Sequence, residues 1–76
     1  MDGQPDIYDL RGLHCPMPVL KTRKRLAEMR AGERLTIETT DSLAVIDIPH
    51  FCQENGHRLV ESEALGGAHR FTIERG

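Results

Sequence analysis

Residues 12–20, Gly-Leu-His-Cys-Pro-Met-Pro-Val-Leu, connect a short apolar segment to an amphipathic one. The segment before them, residues 7–10, is a strand candidate. Proline is well tolerated at the first position of a helix because its missing N–H has no partner inside the helix. We therefore predict a helix that begins at Cys15 or Pro16 and ends at Gly32. Four residues recur at the spacing of one helix face: Val19, Thr22, Leu26 and Met29.

The segment after this helix alternates apolar and polar residues and predicts a second strand, with Leu35, Ile37 and Thr39 on one face. Asp41 is a candidate cap for a second helix. Proline inside a helix removes a hydrogen bond and clashes with the preceding turn. Because of Pro49, we expect a short first turn and then a main helix that begins near Asp47.

Gly56 is expected to end the second helix. A third strand over residues 57–64 and a fourth around Phe71 and Ile73 flank a Gly66–Gly67 hairpin turn. The predicted fold is α/β of the α+β type: a two-layer sandwich in the order β-α-β-α-β-β, with two helices on one face of a four-stranded mixed sheet. Residues 1–6 are expected to be a mobile tail, and residues 7–76 a single domain.

Composition excludes some functions. The chain has 76 residues and a formal net charge of −2, which argues against nucleic-acid binding through overall charge. The first ten residues do not resemble a signal peptide, and no apolar run approaches the ~20 residues of a membrane span. Cys15 and Cys52 are too few for a disulfide-stapled secreted domain. We therefore expect a cytoplasmic protein with two free thiols.

The placement of Cys15 at a helix start favours a reactive thiol. A free cysteine has a pKa of about 8.5, and the partial positive charge of a helix N-terminus stabilises the thiolate. His14 and Arg11 would add to this effect if they face the same side, and the N–H of Met17 is expected to remain free near the sulfur. The alternative is that Cys15 is a small buried hydrophobic residue.

The second cysteine and the histidines give little indication of a redox or metal site. Cys52 neighbours Phe51 on the apolar face of the second helix, which favours a buried core cysteine. No CxxC pair is present, and the histidines lack the paired spacing of zinc sites. We therefore predict no metal and no cofactor, and expect His50 and His57 at the ends of the second helix and His69 at the start of the fourth strand.

Basic residues concentrate on the first helix and offer three interpretations. The candidates for contact with a partner are Lys21, Arg23, Lys24 and Arg25. The first interpretation is a helix face that is simply solvated. The second is a docking patch for an acidic partner surface, and the third is a direct contact to tRNA. No aromatic residues interleave with them, which argues against RNA binding by stacking.

Several motifs resemble one known family. The segment Cys15-Pro16-Met17-Pro18 resembles the CPxP signature of the TusA/SirA family of sulfur-carrier proteins. The approach to it, with Asp9, Gly12 and Leu13, is similar to the family's Asp-x-x-Gly-Leu. Residues 47–52, Asp-Ile-Pro-His-Phe-Cys, resemble a segment of the family's second helix. The resemblance extends over nearly the whole chain.

The resemblance implies a carrier of the sulfurtransferase type. Cys15 would accept sulfane sulfur from a cysteine desulfurase or a rhodanese-like donor, hold it as a persulfide, and pass it to an acceptor protein. Asp9, Gly12, Pro16 and Pro18 would shape the loop around it. The family's relays serve tRNA thiolation, molybdenum-cofactor supply or sulfur oxidation, and the sequence does not choose among them. The alternatives are a protein-binding adaptor that transfers nothing and a nucleic-acid-binding regulator.

Overall fold

The computed structural model describes residues 7–76, and the predicted N-terminal tail lies outside the described residues. The elements follow the predicted order β-α-β-α-β-β. Their bounds are β1 Ile7–Asp9, α1 Met17–Ala27, β2 Arg34–Thr39, α2 Ala44–Glu54, β3 Arg58–Leu65 and β4 Ala68–Glu74.

The four strands form one mixed sheet in the order β1-β2-β4-β3. The pair β1–β2 is parallel, whereas β4 runs antiparallel to both β2 and β3. The tight turn after β3 returns the chain as β4, which occupies the position beside β2 and leaves β3 at the edge. The predicted mixed sheet is confirmed, and its parallel half places the end of β1 beside the end of β2.

The core lies between the sheet and both helices. Ile37 on β2 is paired with Phe71 on β4, and both side chains are fully buried. They pack in one cluster with Leu26 of α1 and Ile48 of α2, so both helices cover the same sheet face. Burying an Ile, Leu or Phe side chain contributes about 1.5–3 kcal/mol each, and this layer therefore dominates the stability of the fold.

The opposite sheet face is polar, as the alternation of β2 and β4 predicted. The hydroxyl oxygens of Thr36 and Thr72 lie 3.3 Å apart. The Nε of Arg70 donates to Oε2 of Glu38 at 2.9 Å. Polar cross-strand pairs let this face meet water without leaving donors or acceptors unpaired.

Helix α1 is shorter than predicted at both ends. It begins at Met17, after Pro16 and a cis Cys15–Pro16 peptide bond. It ends at Ala27 because the next two N–H groups, of Glu28 and Met29, bond three residues back instead of four. Gly32 lies beyond the helix, with φ +90°, where its N–H donates to the carbonyl of Arg75 at 2.8 Å.

Helix α2 corrects the expectation of a break. It runs as one helix over Ala44–Glu54, with Pro49 inside it. Pro49 has no N–H for the preceding turn, but burial of Ile48 and Cys52 on the core face offsets that lost bond. Gly56 ends the helix as predicted: at φ +73° it lets the next N–H reach back to the carbonyl of Cys52 at 2.9 Å. Within the described residues, neither helix has the length and apolar character needed to cross a membrane.

Candidate functional site

The loop that carries Cys15 is attached to the end of the neighbouring strand. The N–H of Leu10 donates to the carbonyl of Glu38 at 2.8 Å, which extends the β1–β2 pairing by one bond. The N–H of Gly12 then donates to Oγ1 of Thr40 at 2.9 Å. Gly12 has φ +85°, a left-handed conformation that other residues adopt at a cost, so glycine shapes this turn. The loop therefore follows β2 closely before the chain enters α1.

Asp9 shapes the same loop through Arg11. Its carboxylate accepts the backbone N–H of Arg11 at 3.0 Å and the Nε at 2.8 Å. Hydrogen bonds from Arg11 lower the pKa of Asp9 to about 2. In the β1–β2 register Asp9 is paired with Glu38, so both side chains lie on the open face of the sheet. The guanidinium of Arg11, which is bound to Asp9, is therefore held on that face. The condition under which Arg11 would help to activate Cys15, that both face the same side, is therefore not met.

The two prolines of the motif have different environments. Pro18, the second residue of α1, is fully buried and anchors the start of the helix in the core. Pro16 is exposed and precedes the first helical residue. The N–H of Met17 donates to the carbonyl of His14 at 2.8 Å. This donor is therefore already occupied, and the prediction of a free N–H beside the sulfur is wrong.

Cys15 is exposed, and its two polar contacts come from the turn before α2 and from the beginning of that helix. Its backbone N–H donates to Oδ2 of Asp41 at 2.8 Å, and its Sγ donates to Oδ2 of Asp47 at 3.3 Å. Asp41 is itself held by its own N–H, which donates to Oγ1 of Thr39, and it accepts the N–H of Leu43. The N-cap of α2 is Leu43, without a side-chain cap hydrogen bond, so the expectation that Asp41 caps the second helix is wrong. Asp41 instead holds the turn before α2 and orients the loop of Cys15.

The charge around the sulfur is the reverse of what the helix start predicted. The hydrogen bond to Asp47, partial burial of the thiol and the negative charges of Asp47 and Asp41 raise the pKa of Cys15. A helix N-terminus supplies about half a positive charge, whereas the two carboxylates supply two full negative ones. The expected stabilisation of the thiolate is therefore corrected: the isolated protein favours the thiol.

The predicted basic residues divide into two groups. Lys21, Arg23 and Lys24 are exposed, and among residues 7–76 none of them lies within 4.0 Å of a carboxylate. Arg25 instead places its guanidinium 3.9 Å from the ring centre of Tyr8. Such a cation–π contact stabilises by about 0.5–1 kcal/mol at an exposed site. Arg25 therefore helps to pack α1 onto β1, and the other three are available to a partner.

Several apolar side chains are exposed at the starts of the two helices, whose segments meet at Cys15. Four of them are Met17 at 39% exposed, Leu20 at 45%, Leu43 at 52% and Ile46 at 68%. The first two belong to the first turns of α1 and the others to the start of α2. We call this set the apolar rim. Exposed apolar clusters of this kind mark sites where another molecule binds.

A groove of about 310 Å³ runs between the two helices beside the rim. Val19 and Phe51 contribute apolar surface to it, and Asp47 and Glu54 contribute carboxylates. Asp47 thus belongs both to this groove and to the immediate surroundings of the Cys15 sulfur.

Sequence reasoning assigned no site role to Asp47, to Asp41 beyond capping, or to the apolar rim. Two signals were present. Residues 43–46, Leu-Ala-Val-Ile, are apolar around the whole helix, which is more than one buried face requires. Asp47 opens the segment that resembles the family pattern. Neither signal indicated that Asp41 and Asp47 would contact Cys15.

The remaining candidates have structural surroundings. Cys52 is 2% exposed, as expected of a core cysteine, and burial raises its pKa to about 11. His50 is exposed near Glu54, whereas His57 is half-buried against Phe51. His69 follows the first residue of β4, with its Nε2 2.8 Å from the hydroxyl of Ser62. Across residues 7–76, no cluster of three or more His, Cys, Asp or Glu side chains could hold a metal ion.

Comparison with known proteins identifies the class. The family model described as "Sulfurtransferase TusA" matches residues 6–75. A crystal structure of a SirA-like protein from Desulfitobacterium hafniense superimposes with a TM-score of 0.80 at 28% identity, covering 92% of this chain and 96% of that one. The fold and the sequence agree, and the chain belongs to the TusA/SirA family.

Individual relatives have informative names. "Putative sulfur carrier protein YrkF" of Bacillus subtilis is 37% identical over 70 residues, which span 92% of this chain and 38% of that protein. A Neisseria meningitidis protein of the same description is 36% identical over 69 residues, 91% of this chain and 93% of its own length. This chain thus spans less than half of the first relative and nearly all of the second.

Proposed function

We propose that this protein is a sulfur carrier that accepts sulfane sulfur as a persulfide on Cys15 and passes it to an acceptor protein. The observation that carries the proposal is the contrast between its two thiols: Cys15 is exposed at the start of α1, whereas Cys52 is buried. Membership of the family and the names of the relatives support the same role.

The transfer is an exchange between sulfur atoms. The Cys15 thiolate attacks the outer sulfur of a donor persulfide, R–S–SH, and a bond forms between the two sulfurs. The S–S bond of the donor breaks, and its inner sulfur leaves as a thiolate that takes up the proton lost by Cys15. The products are R–SH and Cys15–S–SH, with no net oxidation or reduction. An acceptor thiol reverses the sequence in the second step.

Donor and acceptor would dock on the surface around Cys15. The apolar rim supplies the area that a partner covers, and Lys21, Arg23 and Lys24 lie next to it on α1. Complementary charge gives orientation and speed of association more than affinity, so we expect a partner with acidic residues facing α1. A cysteine desulfurase or a rhodanese-like protein is the expected class of donor. The candidate pathways are tRNA thiolation, molybdenum-cofactor supply and sulfur oxidation.

Intact-protein mass spectrometry tests the proposal. The protein is incubated with a cysteine desulfurase and cysteine, and the Cys15→Ser and Cys52→Ser variants are treated in the same way. We expect a gain of one sulfur atom that reductant removes in the wild type and in Cys52→Ser, and no gain in Cys15→Ser. Absence of any gain with a desulfurase, a rhodanese and polysulfide would reject the carrier role.

The apolar rim also favours a second candidate, an adaptor that binds a partner and transfers nothing. The Cys15→Ser variant separates the two functions, because serine keeps the size of the side chain and removes the thiol. An adaptor would retain its effect in a reconstituted relay with this variant, whereas a carrier would lose all sulfur transfer while still binding.

A further inference from the structure

The start of α2 holds the Cys15 loop from two directions, and the two contacts have different consequences. Asp41 accepts the backbone N–H of Cys15 at 2.8 Å, which fixes the position of the loop. Oδ2 of Asp47 accepts a hydrogen bond from the Cys15 thiol at 3.3 Å, which engages the reacting atom itself. Thiolate is the nucleophile in sulfur exchange, and a carboxylate at this distance opposes its formation.

We propose that Asp47 keeps Cys15 in its thiol form while the carrier is free, and that a cationic side chain of the docked partner binds Asp47 and releases the thiolate. This inference rests on the proposed function. Asp47 is then a positioning residue that controls the ionisation of Cys15. The partner is expected to carry a lysine or arginine that reaches Asp47.

The groove between the helices has the shape and charge for such a side chain. Its apolar surface, from Val19 and Phe51, suits the hydrocarbon stem of a lysine or arginine. Carboxylates of Asp47 and Glu54 also line it, so the cationic end meets opposite charge. Because Asp47 accepts a hydrogen bond from the thiol, a cation that enters here competes for the same carboxylate.

The charged groups around the Cys15 thiol determine the pH at which it ionises. Asp47 lies in the first turns of α2 and Asp41 in the turn before it, and the negative charges of both raise the pKa of Cys15. His14 precedes it in the chain, and His50 lines the groove one turn beyond Asp47. When the partner's cation neutralises Asp47, the Cys15 thiol loses its hydrogen bond to that carboxylate, and its proton passes to the donor's leaving thiolate during the sulfur exchange.

The free protein provides the first test, with no partner present. The rate of alkylation of Cys15 by iodoacetamide is measured against pH by peptide mass spectrometry, for the wild type, Asp47→Asn and Glu61→Gln. Glu61 is an exposed carboxylate on β3 and serves as the charge-matched control. Asp47→Asn should move the profile to lower pH and raise the rate near pH 7 by about threefold or more, since one pKa unit changes the thiolate fraction about tenfold. The profile of Glu61→Gln should match the wild type.

The second test measures sulfur transfer from a cysteine desulfurase supplied with cysteine. Loss of the Asp47 carboxylate removes the partner's cation site, so Asp47→Asn should raise KM for the carrier several-fold without lowering kcat. An unchanged alkylation profile in Asp47→Asn would overturn the control of Cys15 ionisation by Asp47, and an unchanged KM would overturn the cationic contact. A wild-type protein that accepts no sulfur from any donor rejects the proposed function instead, and the alkylation profile still reports on Asp47 by itself.

Discussion

The backbone N–H of Cys15 donates to Oδ2 of Asp41 across 26 residues of chain, at 2.8 Å. This bond joins the loop before α1 to the turn before α2. It brings the first turns of the two helices, with their exposed apolar side chains, to the same end of the molecule. The candidate site is thus assembled from two segments, and its geometry depends on the contact between them.

Removing the Asp41 carboxylate should loosen this junction. Asp41→Ala loses a hydrogen bond to Cys15 and the one that holds the turn before α2, which together should lower the free energy of unfolding by about 1–2 kcal/mol. Urea denaturation followed by circular dichroism measures the change. Asp47→Asn is the comparison, because within residues 7–76 the only hydrogen bond of its carboxylate is to the exposed thiol; its effect should stay below about 0.5 kcal/mol. Equal losses in the two variants would show that Asp41 does not hold the junction.

The left-handed turn at Gly12 should tolerate no side chain without strain. No atom lies within 4 Å of a Cβ added there, so the cost of Gly12→Ala comes from the backbone at φ +85°. We expect a loss of about 1 kcal/mol in unfolding free energy. Gly67→Ala is the matched control, since that position is equally open and lacks a positive φ. If both substitutions are neutral in a urea titration, the loop does not require the left-handed conformation.

Neighbouring isoleucines on α2 should separate binding from stability. Ile48 is fully buried, and Ile48→Ala should reduce the free energy of unfolding by about 2–4 kcal/mol. Ile46 is 68% exposed, so Ile46→Ala should leave stability within about 0.5 kcal/mol of the wild type. The same Ile46 change should weaken binding to a sulfur donor, measured by calorimetry. Full retention of binding would remove Ile46 from the docking surface.

The two cysteines should differ in reactivity, and Cys52 should make stability depend on pH. In the native protein at pH 8, a thiol reagent should modify Cys15 and spare Cys52, which reacts only after unfolding. The pKa of Cys52 is raised from 9.0 to about 11, so the folded state retains its proton more strongly. Its contribution to stability is complete below pH 9 and falls as pH rises towards about 11.

Comparison with Cys52→Ala isolates that contribution. Between pH 8 and pH 11, the urea midpoint of the wild type should fall more than that of the variant, because only the wild type gains a thiolate on unfolding at this position. Parallel curves for the two proteins would mean that Cys52 ionises equally in the folded and unfolded states.

Charge reversal on α1 should impair encounter with an acidic partner. The double variant Arg23→Glu, Lys24→Glu should slow sulfur transfer about tenfold or more at low salt, and the difference from wild type should shrink as salt is added. Neither side chain is in an ion pair within the described chain, so thermal stability should change little. Arg30→Glu, beyond the far end of α1, is the control; a similar loss there would indicate a response to net charge alone.

Local patterns were sufficient to predict the elements. Alternation in β2 and helical spacing in α1 depend on residues close in sequence, and glycines such as Gly56 end elements by their own backbone freedom. Where the prediction failed, a distant contact intervened. Pro49 suggested a break by local rules, but burial of its neighbours keeps α2 continuous.

The sequence by itself determined the order of elements, the polar sheet face and the identity of the cysteine at the start of α1. Only the tertiary structure decided that Asp41 and Asp47 lie at that cysteine and that Arg11 does not. The physical reason is that electrostatic interactions weaken with distance, so the pKa of a thiol depends most on charged groups within a few ångströms. Here those groups come from a segment that is distant in the chain. A motif can therefore indicate a candidate nucleophile, whereas the protonation of that cysteine depends on the fold.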